Sequence, residues 1–175
     1  MADVRTIICG SPQRNGKCAQ AAGHLRDALQ GRFHDERVNL ISDASLDVGP
    51  SIGCNACLAS GRCIFEDGMS EVLALLAATD YLYVVCPVYF AGPPSQMKAL
   101  LDRFQPLFST YDPKAPKRPA KLMVVGQGGD PHGFGPLETI MRSALAVAGF
   151  RLEEVLPCIG ESCGQACERV LEMIG

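Results

Sequence analysis

Five short apolar runs alternate with five stretches of helical periodicity, and this alternation constrains the fold more than any other feature of the chain. Val4-Arg5-Thr6-Ile7-Ile8-Cys9 is β-branched and stops at Gly10-Ser11-Pro12, the pattern of a strand entering a turn. Arg37–Ile41, Tyr81–Cys86, Leu122–Val125 and Leu152–Leu156 repeat it, and Tyr81–Cys86, the most apolar, reads as a fully buried central strand. Helical spacing covers Gly16–Gln30, Met69–Thr79, Ser95–Phe104, Pro136–Ala148 and Ser162 to Ile174. Asp67 is placed to cap the second helix, and Pro136 and Gly149 bracket the fourth. Strands alternating with helices predict a doubly wound, parallel α/β sheet. A length of 175 residues predicts one domain, 1–175. Residues 43–67 and 106–119 are long connections without periodicity, and ordered loops of that kind are usually functional.

A doubly wound sheet binds ligands outside the carboxyl ends of its strands, which directs attention to three loops. Gly10–Cys18 leads into a helix N-terminus, where free N–H groups and the helix dipole favour an anion; Ser11 adds a hydroxyl, and Arg14 and Lys17 add positive charge. The loop approaches a P-loop. However, Ser11 stands where the first glycine belongs, Cys18 replaces the magnesium-binding Ser/Thr, and Cys86-Pro87 offers no carboxylate, which argues against an NTPase. An ordinary βα turn is the plain alternative. Pro87-Val88-Tyr89-Phe90-Ala91-Gly92-Pro93-Pro94 either covers a flat ligand or partner, or tucks its aromatics into the core. Gly126-Gln127-Gly128-Gly129 lets backbone approach a ligand closely. His132 reads as a solvated loop histidine, with a hydrogen bond to ligand as the alternative.

Composition narrows the function classes. With 16 Lys+Arg against 19 Asp+Glu, net −3, the chain lacks the positive field that nucleic-acid binding needs. A hydrophobic content of 47% against 20% charged excludes global disorder. The run Tyr81–Ala91 is broken by Pro87 and is shorter than the roughly 20 residues of a membrane span. The N-terminus has no export pattern, so a cytoplasmic protein with reduced thiols is expected.

Nine cysteines are an odd number and too few for a disulfide scaffold. Cys54-x2-Cys57-x5-Cys63 has compact spacing that suggests metal, yet an iron–sulfur cluster wants four thiolates. A cluster with a ligand from elsewhere, zinc, a redox-active thiol pair, and small residues packing a loop all remain open. Cys163 and Cys167 share a helical stripe with Ala166, Val170, Leu171 and Ile174, and Cys9 and Cys86 end strands; these read as core, with a Cys158-x4-Cys163-x3-Cys167 metal site as the alternative for the carboxyl-terminal group. Lys114, Lys117, Arg118 and Lys121 form either a solvated basic face or a contact for ligand phosphates or an acidic partner.

Taken together, three segments resemble the NADPH-dependent FMN reductase family of flavodoxin-like flavoproteins, which includes iron–sulfur flavoproteins. They are Gly10-Ser11-Pro12…Gly16; Gly53-Cys54-Asn55-Ala56-Cys57…Gly61-Arg62-Cys63…Glu66-Asp67-Gly68-Met69; and Pro87-Val88-Tyr89-Phe90…Gln96-Met97-Lys98-Ala99-Leu100-Leu101-Asp102-Arg103. The resemblance implies a five-stranded parallel sheet in the order 2-1-3-4-5 with helices on both faces, bound FMN, NAD(P)H as donor, a small-molecule acceptor (a flavin or quinone), and a homodimer. It places the phosphate at Ser11, Gln13, Arg14, Gly16, Lys17 and Cys18. The ribityl chain and ring lie along Pro87, Val88, Tyr89, Phe90 and Gly92, and the ring rim near Gly126, Gly128 and Gly129. An electron carrier using FMN plus a cluster on Cys54, Cys57 and Cys63, and a non-redox member binding zinc or a partner there, are the alternatives. The chain departs from the family's Ser-Asn-Thr at Gly16-Lys17-Cys18, losing a hydroxyl and gaining a charge.

Overall fold

The computed structural model describes residues 2–174; the first and last residues of the expected 1–175 domain lie outside the described residues. Five parallel strands, β1 (Val4–Cys9), β2 (Arg37–Ser42), β3 (Tyr81–Pro87), β4 (Arg118–Gly126) and β5 (Phe150–Ile159), form one sheet in the order β2-β1-β3-β4-β5, as the resemblance implies. The helices are α1 (Lys17–Arg32), α2 (Ala56–Ser60), α3 (Met69–Ala78), α4 (Ser95–Asp102), α5 (Gln105–Phe108), α6 (Gly135–Val147) and α7 (Cys163–Arg169).

The strands send alternate side chains to opposite faces, and two cores result. Ile8, Val84, Cys86, Leu122 and Val124 pack against α3, α4 and α6 through Val72, Leu100, Met141 and Leu145. Ile7, Cys9, Val85, Met123 and Val125 pack against α1 and α7 through Ala22, Leu25, Ala166 and Val170. β5 serves both faces. Its pairing with β4 slips between Ala120 and Lys121, and a slip of one residue transfers every later side chain to the other face. Leu152 therefore joins the first core, whereas Leu156 and Cys158 join the second.

Several boundaries differ from the sequence reading. β4 starts four residues before Leu122 because Arg118 is held at the strand entry. Its Nη1 donates to the carbonyls of Leu76 (2.9 Å), Ala77 (3.1 Å) and Thr79 (2.5 Å), and its guanidinium lies 4.2 Å from the Phe150 ring. The Cys163 stripe turns out only in part. From Val170 the chain tightens to a 3₁₀ turn, whose three residues per turn rotate Met173 inward and leave Leu171 exposed. Asp67 does serve α3, its Oδ1 accepting the Met69 N–H at 3.1 Å.

Asp43, in the 3₁₀ turn after β2, is 6% exposed, and its Oδ2 is buried with no hydrogen-bond partner. Burial pushes its carboxyl up to about 6. The folded state thus holds a proton that the unfolded chain releases near 3.8. Stability is therefore greatest below the unfolded value and falls as pH rises through about 6. Asp43→Asn, which cannot ionise, should stabilise the protein by about 1–3 kcal/mol at pH 8 and by about zero at pH 4. Urea denaturation at the two pH values checks this; equal shifts at both would refute it.

Candidate functional site

One cavity of about 730 Å³ opens at the carboxyl edge of the sheet, within the 300–1,000 Å³ range of small-molecule sites. Of the sequence-selected residues, Ser11, Gln13, Lys17, Cys18, Pro87, Val88, Tyr89, Phe90, Gly126, Gly128 and Gly129 line it. Arg14, Gly16 and Gly92 are not in the lining; Arg14 is exposed on the loop. The cavity also takes in Ala91, Val125, Gln127, Asp130, Gly133, Phe134 and Ile159. Most of these sit beside the selected loops. Ile159 comes from the end of β5, and no local signal marked it.

The first wall belongs to α1. Its N-cap, Gly16, supplies no side-chain hydrogen bond, so the first-turn N–H groups remain available to an anion. Ser11 is 4% exposed, and its Oγ accepts the Gln13 N–H at 3.2 Å. Burial, above all, pushes the Cys18 thiol up to about 12, so it carries no negative charge that would oppose a phosphate. Lys17 donates through Nζ to the backbone carbonyl of Glu161.

A two-residue turn forms the second wall. Tyr89 and Gly92 exchange backbone hydrogen bonds of 2.8 and 3.0 Å around Phe90 (φ 49°) and Ala91 (φ 61°). Left-handed backbone at two non-glycine residues costs on the order of 1–3 kcal/mol each, and such strain collects at ligand sites. The turn leaves Phe90 99% exposed and Tyr89 partly so, so these aromatics are not tucked into the core.

Glycine is required in the third wall. A Cβ at Gly126 would lie 2.6 Å from Val88 Cγ1 and 3.1 Å from Ile159 Cδ1, and Gly128 has φ 85°. His132 is exposed outside the lining, its N–H bonded to Asp130 Oδ1 at 2.8 Å.

An FMN-sized ligand with one anionic end fits these walls: uncapped helix amides, a buried hydroxyl and a cation at one end, apolar and aromatic surface along the middle, and glycine backbone at the other.

The cysteine loop forms a separate cavity of about 340 Å³, lined in part by Cys54, Cys57, Cys63, Phe65 and Arg103. Between Cys57 and Cys63, Ser60 Oγ lies within 3.0 Å of the carbonyls of Ala56 and Arg62 and accepts the Arg62 N–H at 3.2 Å. Among the described residues no three His, Cys, Asp or Glu side chains are disposed to hold a metal ion. A four-thiolate cluster therefore does not fit the side chains of this loop as they stand.

The basic residues 114–121 lie before or in the first half of β4, which ends at Gly126; at about 3.3 Å per residue, Arg118 is roughly 26 Å and Lys121 roughly 17 Å from Gly126. Arg118 is bound to carbonyls, Lys121 pairs with Glu154 at 2.9 Å, and Lys117 lies over the Tyr111 ring. They do not contribute to the cavity.

Sheet order and cavity together define a flavodoxin-like fold. The chain belongs to the NADPH-dependent FMN reductase family, whose model matches residues 6–151. It is 35% identical over 101 residues to an iron–sulfur flavoprotein of Methanocaldococcus jannaschii (57% of this chain, 51% of that one) and 33% identical over 98 residues to one of Methanosarcina thermophila (56% and 50%). The chain thus spans about half the length of these curated relatives. In three dimensions it is similar to an FMN-dependent NADH-azoreductase from Bacillus anthracis solved with FMN (TM-score 0.69, 11% identity, 99% of this chain and 96% of that one). It is also similar to a putative quinone reductase from Klebsiella pneumoniae (TM-score 0.67, 15% identity, 99% and 84%). Among the described residues no helix is long and apolar enough to cross a membrane.

Proposed function

We propose that the chain is an FMN-dependent NAD(P)H oxidoreductase that reduces a small acceptor such as a flavin or quinone. The observation that carries this reading is the convergence of three strand-end loops on one cavity whose polarity runs from cationic to apolar. Bound there, FMN would supply hydride acceptance and one- or two-electron transfer. Ser11, Lys17 and the first-turn amides of α1 bind the phosphate; the neutral Cys18 thiol adds no repulsion. Pro87, Val88 and Tyr89 support the apolar part, and the backbone of Gly126 to Gly129 reaches the ring rim without side chains in the way. No protein acid or nucleophile is required. The reading includes a homodimer, in which a second copy of the chain covers the fully exposed apolar surface of Phe90 at the cavity rim, and, separately, a cytoplasmic location.

Titration of the apoprotein with FMN, followed by anaerobic addition of NADPH or NADH, tests it. Stoichiometric uptake and bleaching of the flavin by at least one donor are expected, and a protein that takes up no FMN refutes the reading. The relatives' names and the three thiols around one cavity favour a second reading, an electron carrier with FMN plus a cluster that would need a fourth ligand from outside this loop and a rearrangement of its side chains. Iron and acid-labile sulfide after anaerobic purification separate the two.

A further inference from the structure

The cavity is closed by a turn from the segment beyond residue 151, where the family match ends. Gly160, with φ 74°, donates its N–H to the Gly126 carbonyl at 2.8 Å. The Ile159 side chain fills the space left by the missing Cβ atoms of Gly126 and Gly128, 3.1 Å from each ideal position. On the other side, the Glu161 carbonyl accepts the Lys17 ammonium. One short turn therefore touches both the α1 loop and the glycine loop, the two ends of the cavity.

That turn is braced from behind. The Glu161 carboxylate accepts Arg169 Nη1 at Oε1 (2.5 Å) and the Cys158 thiol at Oε2 (3.1 Å), and Arg169 Nη1 also donates to the Pro157 carbonyl at 2.9 Å. The Cys158 thiol, first, and Arg169 hold the Glu161 carboxyl below its ordinary range, so it stays ionised and keeps its grip on Arg169. Arg169 is itself fixed: it ends α7, which packs along α1 and starts in a capping box between Ser162 and Gln165. Neither Glu161 nor Arg169 lines the cavity.

We propose that Glu161 and Arg169 are positioning residues of the cofactor site: they fix the end of β5 and the Gly160–Glu161 turn that follows it, whose backbone sets the Lys17 ammonium at the phosphate end. The proposal rests on the FMN reading above. Gly16 supplies no side-chain cap to α1, and Lys17 is the cation at the phosphate end of the cavity; a flexible four-carbon side chain needs an anchor to present its charge in one place. The Glu161 carbonyl is that anchor, and its position depends on Arg169.

The test is the dissociation constant of FMN and of riboflavin, which lacks the phosphate, for the full chain and for Lys17→Met, Arg169→Met and the double variant. Lys17→Met should weaken FMN about tenfold or more, the scale of a lost charged hydrogen bond, and leave riboflavin within about twofold. Arg169→Met should lower the preference for FMN over riboflavin by roughly three- to tenfold. The double variant should match Lys17→Met, because both changes cut one link, and Arg169→Lys should recover part of the preference. Arg169→Met with the parent preference, or effects that multiply in the double variant, would overturn the proposal while leaving the FMN reading intact. A parent protein that binds neither flavin would overturn both. Should Arg169→Met fold poorly, Glu161→Gln, which keeps the backbone carbonyl and weakens the brace, carries the same comparison.

Discussion

Arg103→Met is expected to lower stability by about 3–5 kcal/mol, the usual cost of removing one partner of a buried ion pair. In a domain of this size that corresponds to roughly a 10 °C fall in Tm. Arg103, just after α4, is 2% exposed. Its Nη1 and Nη2 donate to the two carboxylate oxygens of Asp67 at 2.7 and 3.0 Å, Nη1 also reaches the Gly49 carbonyl at 2.9 Å, and Phe65 lies over the guanidinium at 5.0 Å. These contacts tie both ends of the cysteine loop to the core, because Asp67 also receives the N–H groups of Gly49 and Met69. Methionine would fill the volume but leave the carboxylate unpaired. Asp67→Asn should destabilise as well, and the double variant Arg103→Met/Asp67→Asn should lose less than the sum, since no isolated charge remains. Arg103, first by its hydrogen bonds, holds the Asp67 carboxyl below the usual carboxylate range. The pair's contribution is thus present above the unfolded value and disappears as pH falls through the lowered folded one. Thermal melts from pH 7 down to pH 3 should show the parent and Arg103→Met converging in acid. A Tm within about 2 °C of the parent at pH 7 would remove Arg103 as the anchor of the loop.

The anchor itself was not legible in the sequence, and the reason is instructive. Apolar periodicity located all five strands and five of the seven helices, because each presents a hydrophobic face long enough to count. Arg118 to Lys121 carries too little apolar character to read as a strand, yet carbonyl groups from α3 accept the Arg118 charge and let the strand begin there. α2 and α5, five and four residues long, are shorter than any periodicity test can resolve. In the site, the loops were legible because strand-end position and residue chemistry are local properties. Ile159, Gly160 and Glu161 were not, because their role comes from contact with residues 31 to 144 positions away. The basic stretch 114–121 shows the same limit: charge alone left a solvated face and a ligand contact both open, and strand direction places the stretch away from the cavity.

Ser11→Asp is expected to weaken FMN by about 100-fold or more while leaving the apoprotein folded and riboflavin binding within about threefold. The two halves of that expectation have opposite electrostatic signs. An aspartate at position 11 can still accept the Gln13 N–H that Ser11 Oγ accepts now, since Asp makes the same local turn. A negative charge near the uncapped first turn of α1 is favourable to the helix dipole. The same charge faces a phosphate in the cavity that Ser11 shares with Lys17 and Cys18. Two like charges about 5 Å apart repel by roughly 3 kcal/mol at an effective dielectric constant near 20, and that is roughly a 100-fold change in affinity. Ser11→Ala supplies the scale for losing one neutral hydrogen bond, about 0.5–1.5 kcal/mol, so it should cost roughly tenfold or less. The ordering Ser11→Asp far weaker than Ser11→Ala, seen for FMN and absent for riboflavin, distinguishes charge repulsion from a distorted loop, which would impair both ligands together. Raising the salt concentration should narrow the gap between the two variants, because a partly open cavity admits screening ions. If Ser11→Asp bound FMN as well as Ser11→Ala does, the phosphate would have to lie away from Ser11, and the α1 loop would lose its assignment as the anionic end of the site.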